Sequence, residues 1–154
     1  RGLPSKSTCG KRRSTMVNIL AIDPGTYKSG WAIVGDGNAV TQFGKSDNKE
    51  VLDGLRHGLY GWHTANMVVV EMMTSITRRE VKNHICRGHR KKNDSQVRSC
   101  LIERYGPDVN DAIGTKKDPG PLYGVTGDVW AALAVGVAYR DIYLIDKPPV
   151  LDEN

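Results

Sequence analysis

Residues 19 to 34 read ILAIDPGTYKSGWAIV, two apolar runs separated by a turn rich in glycine and proline. From Val17 the segment VNILAID is almost continuously apolar and ends in an acid, PGTYKSG carries the turn residues, and WAIV is apolar again. This pattern predicts strand, loop, strand. The Gly-Asp-Gly-Asn cluster at 35 to 38 is a hairpin signal, so AVTQFGK after it is expected to pair back as a third antiparallel strand.

Asp47 followed by Glu50 makes a capping-box start, and Val51, Leu52, Leu55 and Leu59 recur at helical spacing up to Tyr60, predicting an amphipathic helix that covers the sheet. NMVVVE at 66 to 71 is a second apolar run ending in an acid, of the kind buried parallel strands show, and belongs beside the first strand. Residues 78 to 104 hold nine Lys or Arg against three acids. They read as a basic loop leading into a helix capped by Asp94 or Ser95 and carrying Val97, Leu101 and Ile102. Gly and Pro crowd 106 to 124, a loop, before Thr126 caps an apolar helix from about Asp128 to Tyr139. The expected architecture is α/β, a mixed sheet of about five strands, the first three antiparallel, flanked by α-helices. One domain is expected over 16–146, with a basic leader at 1–15 and a tail at 147–154.

The 154 residues suit one core, and 39% hydrophobic content without any apolar run of roughly 18 residues excludes a membrane helix. Twenty-two Lys and Arg against 17 Asp and Glu leave a net charge of +5, which favours an anionic partner, nucleic acid first. Cys9, Cys86 and Cys100 are odd in number and form no CxxC pair, so neither a disulfide framework nor a zinc ribbon is signalled, and a reducing cytoplasm is expected. The acid-poor leader, RGLPSKSTCGKRRST, reads as upstream sequence or a basic arm, with organelle targeting as the alternative.

Asp23 and Glu71 each end an apolar run, and the carboxyl ends of adjacent parallel strands stand about 5 Å apart. Mg²⁺, with Mn²⁺ as a substitute, takes oxygen ligands and keeps several waters, so two or three carboxylates at one edge can hold it. Asp128 on the late helix is the third candidate. Two ions roughly 4 Å apart would serve phosphodiester hydrolysis. The plain alternative is that Asp23 forms a turn and Asp128 complements a helix dipole.

ILAIDPGTYKSGWAIV resembles the first hairpin of RuvC-type Holliday junction resolvases, within the RNase H-like superfamily; the resemblance implies that Asp23 is a metal ligand. VVVEMM is similar to the strand carrying the catalytic glutamate, here Glu71. REVKNHICRGHRKKNDSQVRSCL resembles the segment with a basic residue beside the active site, which Lys82 matches. GDVWAALAVGVAYR resembles the closing helix, whose pattern holds two acidic positions three residues apart. Asp128 fills the first, whereas Ala131 stands where the family carries an aspartate. The resemblance implies a Mg²⁺-dependent endonuclease cutting four-way or branched DNA as a homodimer. A substitution at 131, engineered or natural, points instead to a silent DNA-binding protein. Only ten residues separate Glu71 from Lys82, fewer than the family has, which bears on the dimer surface and would suit a phage or viral version.

Arg78, Arg79, Lys82, Arg87, Arg90, Lys91 and Lys92 are the expected DNA contacts, neutralising phosphates without reading sequence. His84, Cys86 and His89 lack a fourth ligand for zinc. Trp31, Trp62 and Trp130 read as core aromatics. An actin-like phosphotransferase also opens with an Asp-Gly hairpin, but the chain is too short for its two domains and has no P-loop. Another RNase H-like nuclease, acting on hybrids, flaps or linear DNA, is the remaining alternative.

Overall fold

The computed structural model describes residues 17–58, 62, 65, 67–70 and 76–145; the expected leader and tail, Leu59, Tyr60 and Glu71 lie outside the described residues. Strands β1 (Ile19–Asp23), β2 (Lys28–Val34) and β3 (Val40–Asp47) form the antiparallel meander, and β4 (Met67–Val70) joins β1 in parallel. The chain is therefore α/β, with a mixed sheet ordered β3-β2-β1-β4, four strands among the described residues where about five were expected. Asp36–Asn38 makes the short turn between β2 and β3, with Gly37 at φ 66° and Asn38 at φ 63°. Glycine and asparagine tolerate this left-handed backbone best, which is why the cluster marks a reversal.

The unbroken apolarity of β1 has a two-sided cause. Ile19 and Ala21 join one core with Ala32 and Val34, while Leu20 and Ile22 join another with Trp31, Ile33, Val51 and Trp62. Alternate residues of a strand face opposite sides, so both faces of β1 are buried. β4 departs from this expectation, because Val68 and Val70 stay 48% and 37% exposed.

Helix α1 (Asn48–His57) starts at the capping box formed by Asp47 and Glu50 and ends at Gly58 in the left-handed region. Its inward face is not the one that the leucine spacing suggested. Val51 and Gly54 are buried, whereas Leu52 and Leu55 are exposed.

The basic stretch is not a plain loop. Residues Arg78–Ile85 form helix α2, because Thr77 accepts a hydrogen bond from the Glu80 amide at 3.2 Å and its own amide donates to Glu80 Oε2 at 2.8 Å. Donation from the Thr77 amide and hydroxyl to the Glu80 carboxyl holds it below the ordinary carboxylate range. Helix α3 (Asp94–Tyr105) is capped by Asn93 rather than Asp94 or Ser95, the Asn93 carbonyl oxygen accepting from the Gln96 amide at 2.9 Å. Within the Gly- and Pro-rich region, Asp108 caps a short helix, α4 (Val109–Ala112).

Helix α5 runs Val129–Tyr139, with Asp128 at its N-cap position and no side-chain cap from Thr126; the Val129 amide donates to the Thr126 carbonyl instead. Nearly every residue of α5 is buried, since it lies across β1 and β2 and is flanked by α2 and α3. Burying Leu133, Val135 and Val137 contributes about 1.5–3 kcal/mol each. Gly136 allows the close approach: a Cβ there would meet Val34 Cγ2 at 2.8 Å and Ala21 Cβ at 3.1 Å. A π-helical segment, Arg140–Ile145, follows. Its first residue, 4% exposed, donates to the carbonyls of Val17 (2.7 Å) and Gly35 (3.1 Å) and pairs with Asp36 at 2.6 Å, tying α5 to the far end of the hairpin. Among the described residues no helix is long and apolar enough to cross a membrane.

Candidate active site

One row of the sheet places the first candidate carboxylate. Asp23 pairs with Gly30, and Gly30 pairs in turn with Lys45 on β3. Residues directly opposite one another across antiparallel strands point to the same face. In the middle of this row the missing side chain is what matters. A Cβ on Gly30 would stand 2.5 Å from the Asp128 carbonyl oxygen and 3.1 Å from Asp128 Cβ. Asp128 therefore rests on the backbone of β2, with Asp23 on one flank and Lys45 on the other. Lys45 forms an ion pair with the Asp128 carboxylate.

Asp23 and Asp128 line a common pocket of about 150 Å³, together with Arg78, Asp94, Trp130 and Ala131. Glu71, the other expected carboxylate, lies outside the described residues; Val70, the last residue of β4, pairs with Ile22, the residue before Asp23.

Helix α2 supplies the cationic wall. Arg78 and Lys82 are four residues apart and so share a helix face. Both reach Asp94 at the start of α3, at 3.1 Å and 2.8 Å. The hydrogen bond from Lys82 holds the Asp94 carboxyl below the ordinary carboxylate range, with the nearby Arg78 charge acting in the same direction. Of the seven cations expected to meet DNA, Arg78 lines the carboxylate pocket and Lys82 lines the adjoining one, which shares Arg78, Asp94 and Ala131 with it. Arg79 is exposed on α2, and Arg87, Arg90, Lys91 and Lys92 are exposed between α2 and α3, Lys92 donating to Asn83 at 3.0 Å.

Two cations escaped the sequence reading. Lys45 lies on β3 and becomes visible only through strand register. Arg98 lies on α3 with its guanidinium 5.2 Å from the centre of the Trp130 ring, beside a cleft of about 420 Å³ that shares Asp94, Gly127 and Trp130 with the carboxylate pocket. Its signal was available as an arginine one turn from Asp94, but which face of α3 looks toward α5 is a tertiary fact. Trp31, Trp62 and Trp130 are buried, as expected of core aromatics.

The His84, Cys86 and His89 group has three separate roles. His84 Nε2 lies 2.8 Å from Asp141, a buried carboxylate that also accepts from Arg104 at 2.7 Å, so α2 and α3 are both fastened to the segment after α5. Cys86 is fully buried, and burial, reinforced by neighbouring Cys100, pushes its thiol up to about 11. His89 Nδ1 meets Gln96 Nε2 at 3.2 Å.

Among the described residues the formal charge around the pocket is balanced: Asp23, Asp94 and Asp128 against Lys45, Arg78 and Lys82. Among the described residues no group of three or more His, Cys, Asp or Glu is placed to hold a metal ion. Two carboxylates with room for water nevertheless suit a hydrated Mg²⁺, which is held by one or two carboxylates rather than an all-protein cage. Lys45 competes for the same position at Asp128, and a carboxylate at Ala131, one helical turn on, would tilt that competition toward a cation. No family model, curated protein or solved structure matches the chain.

Proposed function

We propose that the chain is an RNase H-like, RuvC-type endonuclease that binds branched DNA, four-way junctions above all, and acts with Mg²⁺ as a homodimer. The observation that carries this reading is the seating of Asp128 on Gly30, which brings the carboxylate of a late helix beside the acid that ends the first strand. A parallel β4 beside β1 suits the same reading, since Val70, the last residue of β4, pairs with Ile22, the residue before Asp23. When bound, magnesium supplies Lewis-acid stabilisation and an activated water. The residues of the chain have their own tasks: Asp23 and Asp128 offer oxygen donors, and Lys82 and Arg78 attract the phosphate backbone. The exposed cations at 87–92 extend this field and would make affinity fall with salt. Two related active sites are needed for paired cuts in a symmetric junction, hence the homodimer.

A second reading, a catalytically silent DNA-binding protein of the same fold, is favoured by a specific feature: Ala131 offers no ligand and Lys45 already neutralises Asp128. Cleavage of a labelled four-way junction against linear duplex in Mg²⁺, for this chain and for Ala131→Asp, separates the two. Paired nicks on the junction by the variant, with binding alone by the parent, support a nuclease whose last ligand is lost. Junction binding without cleavage by either supports the silent binder, and absence of binding by both overturns the nucleic-acid reading.

A further inference from the structure

The turn that follows Asp23 is held rigidly and ends in a bare aromatic ring. Tyr27 is 82% exposed, and its ring and hydroxyl make no hydrogen bond or ring contact among the described residues. The backbone beneath it is pinned at three successive residues by Asn48, the first residue of α1. Asn48 Nδ2 donates to the carbonyls of Gly25 (3.0 Å) and Thr26 (3.3 Å), and the Asn48 amide donates to the Tyr27 carbonyl at 3.0 Å. Buried Ser29 orients the clamp by donating to Asn48 Oδ1 at 2.7 Å. A loop so fastened has already lost its backbone entropy, and placing the ring against a partner costs only two side-chain torsions.

We propose that Tyr27 is a stacking platform for a nucleobase next to the phosphate that Arg78 and Lys82 attract to the Asp23 and Asp128 pocket. This deepens the nuclease reading above and rests on it. Tyr27 lies four positions after Asp23, so their Cα atoms are at most about 14 Å apart. The hairpin that carries the ring is also the one on which Asp128 rests. Every base offers a π-face, so such a contact tolerates sequence, and it is strongest where bases are unpaired, as at the centre of a branch.

The test measures binding of the full chain to a single strand and to a four-way junction carrying 2-aminopurine at the branch, by anisotropy and by base fluorescence, in the absence of divalent metal. Tyr27→Ala should weaken binding by about 5- to 150-fold and abolish quenching of the base, while Tyr27→Trp restores both. Because the ring is uncharged, the loss should be the same at low and high salt, unlike that of Lys82→Met. Equal affinity and equal quenching for Tyr27→Ala, with the parent binding DNA, overturn the stacking role and leave the nuclease reading standing. If the folded parent binds neither probe, both fall together.

Discussion

Placing a carboxylate at position 131 probes the candidate metal site most directly. Ala131 lies one turn beyond Asp128 and lines the same pocket, and residues three apart on a helix have Cβ atoms about 5–6 Å from each other. Two carboxylates at that spacing repel by roughly 0.8–3 kcal/mol for effective dielectric constants of about 80 to 20. The Asp128 side chain is 48% exposed, so the lower figure applies. Arg78 and Lys82, which share a pocket with Ala131, attract a new carboxylate by a similar amount. Without metal, Ala131→Asp should therefore leave stability within about 1 kcal/mol of the parent, a shift of under about 4 °C in Tm.

Magnesium changes the balance, because a second carboxylate one turn from Asp128 adds oxygen donors to the same pocket. A tenfold gain in affinity, about 1.4 kcal/mol, is the expectation. If Kd falls from about 10 mM to about 1 mM, then roughly 10 mM Mg²⁺ stabilises the parent by about 0.4 kcal/mol and the variant by about 1.4 kcal/mol. Thermal melts across a Mg²⁺ titration, with calorimetric binding alongside, resolve the difference. Identical Mg²⁺ responses of parent and variant would refute the argument that the first turn of α5 faces a cation site.

Three further outcomes follow from contacts on the described residues. Gly30→Ala should cost about 1–3 kcal/mol in urea unfolding, since its methyl would meet the Asp128 backbone and push that residue off the sheet; an unchanged midpoint would mean that α5 does not rest there. Arg140→Met leaves the Val17 and Gly35 carbonyls without their donor, while half-exposed Asp36 regains water, so the expected loss is about 2–4 kcal/mol, or roughly 1–2 M in urea midpoint. For Asp94 the folded pKa is depressed, so its contribution is present above the unfolded carboxylate range and is lost as pH falls through the lower folded value. Acid titration followed by NMR of the Asp94 carboxyl should show it still charged where ordinary aspartates have protonated, and Lys82→Met should move its titration back toward the ordinary range.

Strand β1, the reversal at 35 to 38, β3, the start of α1 and the parallel placement of β4 were all legible because each depends on near neighbours: apolar runs, turn residues and caps. Errors arose where two local rules competed. Arg78–Ile85 looked like a loop because its charges hid the Thr77 and Glu80 capping box, and α1 turned Val51 rather than Leu52 and Leu55 inward because Gly54 lets Trp62 pack against the helix.

For the candidate site, sequence alone singled out the residues proposed to carry the chemistry: Asp23 at a strand end, Asp128 before an apolar helix, and the cations of 78–92. It did so because residue type and local pattern suffice to mark an acid that ends an apolar run. What tertiary structure alone decided is their company. Gly30 admits Asp128 to the row that starts at Asp23, Lys45 reaches the Asp128 carboxylate from the neighbouring strand β3, and Asp94 draws Arg78 and Lys82 together beside the pocket. Those meetings depend on strand register and on how closely a helix can approach a sheet, distances set by residues far apart in the chain, and no local pattern encodes them.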